Sequence, residues 1–261
     1  MTEEEKLFIA KFDDKALQCS EGFMITSTFF VDTHLKTLVF TRALPVKVRC
    51  IFYSPVPDSE RNIAVFLPEY ISASTPQELK EYFLSEPDDD PTAVIRIDKD
   101  RFSKPLTHRD YLGALMSLGI KREILGDIAV NDSGCYVACL KKNARYIAEN
   151  LSRAGRGTLK CEVIDSRAVD TLEKKKPEFF DFTVSSPRLD SIIKNGFNLS
   201  RTQSVDMITH GLVFVNGLEC LKPDKKINPG DKITLRHRGR FVVKDCSRLT
   251  KKGRIVVEAV R

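Results

Sequence analysis

The 261-residue chain contains no apolar run of eighteen residues, which excludes a helix that spans a bilayer and makes a membrane partner unexpected. Its seven cysteines, Cys19, Cys50, Cys135, Cys139, Cys161, Cys220 and Cys246, form no CxxC pair, and its four histidines, His34, His108, His210 and His237, show no finger spacing. No zinc site is therefore expected, and no cofactor. The odd cysteine total points to a reducing compartment, with Cys135 and Cys139 as small buried thiols on one face of a strand. The opening segment MTEEEKLFIAKF is acidic before it is apolar, the reverse of a secretory signal. It reads as the start of a cytosolic helix, so the expected location is cytoplasmic. A Gly-rich strand-to-helix turn for a nucleotide cofactor is also missing, which argues against a methyltransferase. What is present is charge, at 30% of residues, with 42% hydrophobic content, a balance that suits globular cores. This length predicts two or three domains.

The charge is segregated. Residues 174–261 hold 19 Lys and Arg against 9 Asp and Glu, a net of +10, whereas residues 1–173 hold 23 against 27, a net of −4. A basic C-terminal third implies a polyanion partner for that part of the chain. Two stretches read as connections: SEPDDDPTA (85–93), where two prolines flank repelling aspartates, and LEKKKPEFFDF (172–182), where a lysine run meets a proline. They divide an α+β protein into an N-terminal α/β region (1–84), a central domain (92–170) and a C-terminal domain (183–261). In the first, a helix over 3–18 precedes the β-rich pieces FMITSTFFVD, KTLVFTRAL and VKVRCIFYSP, then AVFLPEYI and a helical TPQELKEYFL. Glu60 and Arg61, in the Pro-rich turn PVPDSERN, read as solvent-facing.

In the central domain the order is strand AVIRID, helix LTHRDYLGALMSLGI, strands EILGDIAVND and CYVACLK, helix NARYIAENLS and strand TLKCEVID. That is βαββαβ, the RRM-like or ferredoxin-like arrangement with two helices on one sheet face. The third strand offers one aromatic, Tyr136, where an RNA-stacking version needs several, so docking is favoured over single-strand readout. Thr107 and Asp110 form a capping signature ahead of Leu112, Leu115, Met116 and Leu118. His108 and Arg109 then stand in the first helical turn, where a cation opposes the helix dipole, and form a candidate second contact for a phosphate or carboxylate.

The C-terminal domain is the most legible. Leu189, Ile192 and Ile193 follow helical spacing, Asp190 reads as the cap, and Gly196 is placed to end this helix in the left-handed conformation. Ser200 caps a second helix with Val205 and Ile208 at i, i+3, ended by Gly211. Asn216-Gly217 fits a type I′ turn, Pro229-Gly230 another, and the tail from Val243 reads as a closing β-hairpin with Lys251, Lys252 and Arg254 at a solvated turn. The exposed side of the helix pair carries Arg188, Lys194, Arg201, Thr202 and Gln203. Arg236, Arg238 and Arg240 alternate along a predicted strand and so project from one face. Guanidinium forks and an open helix N-terminus suit phosphate, which makes Arg188, Lys194, Ser200, Arg201, Thr202, Gln203, Lys222, Arg236, Arg238 and Arg240 the candidate RNA-binding set.

The order RLD, then SR at the next helix start, a hydrophobic strand, VNG and GD resembles, over residues 188–240, the small RNA-binding domain named after ribosomal protein S-four. Ser204 stands where that family has alanine in SRxxA. With LTHRDYLGALMSLGIKREILGDI upstream, the chain is similar almost throughout to the YlmH family of bacterial RNA-binding proteins, and Glu60 and Arg61 match the end of that family's AER-like turn. The resemblance implies a non-enzymatic protein that binds rRNA and tRNA on large ribosomal subunits. It implies a role in rescuing obstructed subunits that hold peptidyl-tRNA, with the tail-adding quality-control factor as a partner. A monomer is expected. The alternatives are an RNA-modifying enzyme of the pseudouridine synthase type, which the missing catalytic sheet domain argues against, and an RNA-linked adaptor in cell division.

Overall fold

In the computed structural model, which describes residues 2–40, 42–57, 59–100, 105–155, 157–169, 177–236 and 238–261, the chain divides into two units where the charge changes sign: Met1–Glu173 and Lys174–Arg261.

In the first unit, helix α1 (Glu3–Gly22) starts at a reciprocal capping box between Thr2 and Glu5 and buries Phe8, Phe12, Ala16 and Cys19, a spacing that puts all four on one side. It runs a turn beyond the predicted end. Strands β1 (Thr26–Ser27), β2 (Arg49–Tyr53) and β3 (Ile63–Leu67) form an antiparallel sheet in the order β1-β3-β2. The segment KTLVFTRAL departs from its β-rich reading: helix α2 (Thr33–Phe40) covers most of it. Asp32 accepts from the amide of Leu35 at 3.0 Å, a helix-start signal that outweighs the β-branched residues after it. Helix α3 (Pro76–Ser85) follows, capped by Thr75. All five residues of β3 are buried. Ala64 and Phe66 pack with Phe8, Phe12, Ala16 and Cys19, while Ile63, Val65 and Leu67 join Tyr53 and Phe83 on the other side.

The RRM-like order is present downstream: β4 (Thr92–Lys99), α4 (His108–Ser117), β5 (Leu125–Val130), β6 (Gly134–Leu140), α5 (Lys141–Asn150), a short β7 (Arg153–Ala154) and β8 (Gly157–Ile164). The sheet order is β5-β6-β4-β8-β7, with every pairing antiparallel. Tyr111 and Leu115 of α4 and Ala144 and Ile147 of α5 cover Ile95, Ile97, Cys135, Val137 and Cys139 on one face. Met116 is exposed, and Tyr111 takes the core position instead. Burial pushes the Cys139 thiol up to about 12 and raises that of Cys135 as well, in keeping with inert core cysteines. The opposite face is where an RNA-stacking domain would show its aromatics. Here Val94 and Ala138 are buried with Phe30, Tyr53 and Phe83 of the preceding region, and Tyr136 packs against the same cluster. Next along β4, Arg96 is paired with Glu162 at 2.7 Å.

Arg61 is not solvent-facing. Its guanidinium donates to the carbonyl oxygens of Phe30 at 2.8 Å and Leu125 at 3.1 Å, and Arg122 donates to the same Leu125 oxygen at 2.7 Å. Burial first, then the neighbouring Arg61, pushes the Arg122 guanidinium down to about 10. The two arginines fasten β5 to the N-terminal sheet, so the turn PVPDSERN has a structural role that its polarity hides.

The second unit is one six-stranded antiparallel sheet with two helices on one face. Its elements are β9 (Phe179–Val184), α6 (Leu189–Gly196), α7 (Arg201–Thr209), β10 (Val213–Val215), β11 (Leu218–Glu219), β12 (Lys232–Leu235), β13 (Gly239–Asp245) and β14 (Ile255–Val260). The order β11-β10-β12-β13-β14-β9 places the predicted tail hairpin, β13 with β14, inside the sheet. The last strand pairs over six residues with β9, for which the sequence reading gave no element. Leu189, Ile192, Ile193 and Ile208 meet Val213, Val215, Ile233, Leu235, Phe241 and Val243 in the core. Asn216 and Gly217 both have positive φ, 54° and 80°, as a type I′ turn requires. Gly211, at φ 71°, ends α7 as expected.

Gly196 has a different role from the one its position suggested. It is helical, and Asn198, at φ 53°, takes the left-handed conformation after the helix. A methyl group at Gly196 would lie 2.6 Å from the Phe241 ring, so this glycine is required for space. Gly196→Ala is therefore expected to lower stability by about 1–3 kcal/mol through overpacking. Gly113→Ala, within α4 where an added methyl meets nothing within 4 Å, is expected to raise it by about 0.5–1 kcal/mol. Urea denaturation of the two variants beside the parent chain should show opposite shifts in midpoint.

Candidate nucleic-acid interface

Residue 188 joins the strand side of the second unit to its helices. The amides of Leu189 and Asp190, which open α6, donate to the carbonyl oxygens of Lys225 at 2.8 Å and Pro223 at 2.9 Å. The loop carrying Lys222 therefore closes the start of α6, and this helix end is not an open anion site. Asp190 does not cap the helix. It lies inside the first turn, buried, and accepts from Arg188 through both oxygens at 3.2 Å and from the Ser191 amide at 2.9 Å. Sequence spacing placed Arg188 on the surface, and its side chain is 46% exposed, yet its orientation is set by a carboxylate that is only 6% exposed.

The start of α7 is built differently. Ser200 and Gln203 form a reciprocal capping box, in which the Ser200 amide donates to the Gln203 side chain at 3.0 Å and the Gln203 amide donates to the Ser200 hydroxyl at 3.1 Å. Ser204, where alanine is the family residue, is fully buried and donates to the Ser200 carbonyl at 2.9 Å, so the extra hydroxyl is satisfied. The box claims the amides of Ser200 and Gln203 and leaves those of Arg201 and Thr202 pointing out of the helix. Among the described residues, the Arg201 guanidinium has no hydrogen bond or ion pair, and Thr202 is exposed beside it.

These elements meet at a pocket of about 320 Å³ lined by Ser185, Ser186, Arg188, Asp190, Ser191, Lys194, Asn195, Arg201 and Arg254. Four cations and one anion share it, with serine hydroxyls and the Asn195 amide filling the gaps. Three of the cations belong to the predicted set. Arg254 does not: it reads in sequence as part of a solvated turn, and only the pairing of β14 with β9 brings it here. Its guanidinium donates to the Thr183 carbonyl at 2.9 Å, which holds it at the rim. A bidentate donor set around a small polar cavity is the arrangement that phosphate oxygens fit.

The remaining candidates lie elsewhere. Arg236 and Arg238 are not in a strand, because the chain turns between β12 and β13 with Leu235 opposite Gly239. Their alternation therefore places nothing on a common face. The Arg236 guanidinium lies over the Phe214 ring, 5.4 Å from its centroid. Arg238 lines a separate pocket with Gly196, Phe197, Asn198 and Arg261. Arg240 is in β13, opposite Thr234. Lys222 is exposed on its loop, and His108 and Arg109 are exposed at the start of α4 in the first unit.

Comparison with known proteins agrees with this architecture. A family model described as "Putative RNA-binding domain in YlmH" matches residues 87–168, and one described as "S4 domain" matches residues 187–233. The chain carries a YlmH-type RNA-binding domain and an S4 domain. It is 29% identical over 247 residues to the Ribosome-associated protein quality control protein P2 of Bacillus subtilis (strain 168), an alignment covering 93% of this chain and 91% of that protein. Over 54 residues it is 44% identical to the small ribosomal subunit protein uS4 of Solibacter usitatus (strain Ellin6076), covering 20% of this chain and 26% of that one. The solved structure of the cell division protein ylmH from Streptococcus pneumoniae aligns with 64% of this chain and 95% of its own at 20% identity, with a TM-score of 0.45. The S4 match ends before Arg254, so the fourth cation of the pocket is supplied from beyond the matched residues.

The three pocket arginines and their neighbours separate by stability. Ser200→Ala removes the capping box and is expected to cost about 1 kcal/mol. Arg201→Ala, with no partner to lose among the described residues, should stay within about 0.5 kcal/mol of the parent. Arg188→Ala strands the buried Asp190 carboxylate and should cost more than Arg201→Ala. Equilibrium denaturation of the three variants would give that ranking.

Proposed function

We propose that the chain docks on structured RNA of the large ribosomal subunit through the pocket of Arg188, Lys194, Arg201 and Arg254, and acts on obstructed subunits that still hold peptidyl-tRNA. The observation that carries this reading is the convergence of four cations, two of them pre-positioned by intramolecular acceptors, on one small polar cavity. The segregation of basic charge into this unit supports it. So does the full-length likeness to a relative whose name places it in ribosome-associated quality control. Thr202 and the open first turn of α7 extend the same contact, and Lys222 with the exposed His108 and Arg109 would meet neighbouring RNA.

In this reading the protein has no catalytic step of its own. It works as a monomer in the cytoplasm, and the tail-adding quality-control factor joins it on the same subunit. The first unit comprises two functional parts, 1–84 and 92–170. The N-terminal part covers the sheet face on which an RNA-stacking domain would bind, so the central part contributes a scaffold rather than single-strand readout.

Phosphate-dominated binding has a salt signature. Four phosphate contacts give a logarithmic slope near −3, so affinity is expected to fall roughly fifty-fold for a fourfold rise in salt. The test is co-sedimentation of the purified chain with small subunits, large subunits, and large subunits carrying peptidyl-tRNA. The parent chain should follow the tRNA-bearing large subunits, and Arg201→Glu with Lys194→Gln should weaken that by more than tenfold at unchanged stability. Arg201→Glu is the cleaner probe, since Arg188→Glu would set a second carboxylate against buried Asp190. Absence of the parent chain from every ribosomal fraction would reject the proposal.

A further inference from the structure

The sheet of the second unit has a second face, turned away from α6 and α7. Alternation along the strands sends Val213, Val215, Ile233, Leu235, Phe241 and Val243 into the core, which leaves Phe214, Lys232, Thr234, Arg240 and Val242 on that other side. Register puts Phe214 directly opposite Thr234, and Thr234 directly opposite Arg240, so the three form one row across β10, β12 and β13. Arg236, at the end of β12, folds its guanidinium over the Phe214 ring at 5.4 Å. Lys232, opposite Val242, flanks the row on the same face. Acidic residues bound it on both sides: Glu219, paired with Phe214 across β10 and β11, and Glu258 with Asp181, which face the same way from β14 and β9 beyond β13.

We propose that this outer face is a second nucleic-acid surface, distinct from the phosphate pocket, which takes a short run of unpaired nucleotides. Phe214 with its overlying Arg236 forms a stacking platform for one base, and Lys232 and Arg240 follow the backbone phosphates. An aromatic ring and a planar guanidinium both present π faces that any base can stack on, and flanking cations supply the sequence-independent part of the affinity. A flat, two-dimensional row of this kind suits a splayed single strand. The pocket on the helix side, concave and without an aromatic side chain, suits a phosphate instead. One small domain would then hold two RNA elements on opposite sides. This inference does not depend on the ribosomal reading, because it concerns an unpaired strand of any origin.

The test uses the full chain and two probes, a fluorescent unstructured oligouridylate and purified large ribosomal subunits. Phe214→Leu keeps the residue apolar but removes the ring, and Arg236→Gln changes an exposed side chain in the turn. Each is expected to weaken oligouridylate binding about tenfold, the usual effect of losing one base stack, while leaving subunit co-sedimentation within about twofold. Arg201→Glu is expected to do the reverse. Unchanged oligouridylate affinity in Arg236→Gln, whose turn position keeps folding out of the question, would overturn the proposal. So would loss of both probes together in Arg201→Glu, since that outcome means a single surface. Failure of the parent chain to bind subunits, with oligouridylate binding still dependent on Phe214 and Arg236, would reject the ribosomal reading alone.

Discussion

The second unit depends on a buried carboxylate. Asp190 is covered by the helices and the 223–226 loop, and it meets the Arg188 guanidinium with both oxygens. Without it, four cations would share one small cavity with no intramolecular compensation. Like charges about 6 Å apart near a protein surface repel by roughly 1–3 kcal/mol per pair, which is large against ordinary domain stability. One anion placed behind the cluster offsets part of that repulsion and aims the first guanidinium outward. The Thr183 carbonyl does the same for Arg254. The remaining two cations, Lys194 and Arg201, are then held by the helices that carry them, and among the described residues no acidic group pairs with either. A polyanion bound there would relieve that imbalance.

A similar economy governs the first unit. Strand β3 is buried on both sides, so it can only exist between two layers: α1 on one side and the cluster shared with the RRM-like sheet on the other. The guanidinium groups of Arg61 and Arg122 tie the layers together by donating to backbone carbonyls that would otherwise face apolar surroundings. The consequence for function is direct. The sheet surface that a stacking RNA-binding domain needs is spent on internal packing, and the excess of basic charge lies in the second unit.

The two faces of that basic unit differ in kind. On the helix side, hydroxyls, an amide and fork-shaped donors surround a concavity. On the other side, a ring, guanidinium groups and a lysine lie along one row of the sheet. Shape and donor geometry distinguish the two faces: Arg236 and Arg240 belong to a different surface from Arg188 and Arg201, and Arg238 lines a pocket of its own with Gly196 and Asn198.

Local pattern decided much of this from the sequence alone. The capping residues at Thr2, Thr107 and Ser200, the type I′ turn at Asn216-Gly217, the helical face of Leu189, Ile192 and Ile193, and the βαββαβ order all depend on contacts within a few residues, which spacing encodes. The charge step at residue 174 and the RLD-to-GD order made the RNA-binding module readable as well. Tertiary structure decided what spacing cannot encode. The partner of β14 is seventy residues away, so the arrival of Arg254 beside Arg188 was invisible. Gly196 serves the Phe241 ring rather than its own backbone. Arg61 binds carbonyls of distant segments, and the 236–238 arginines turn a corner where alternation would have kept them in line. In each case a contact distant in sequence overrode a local preference, because burial and backbone hydrogen bonding are satisfied across the whole fold rather than along the chain.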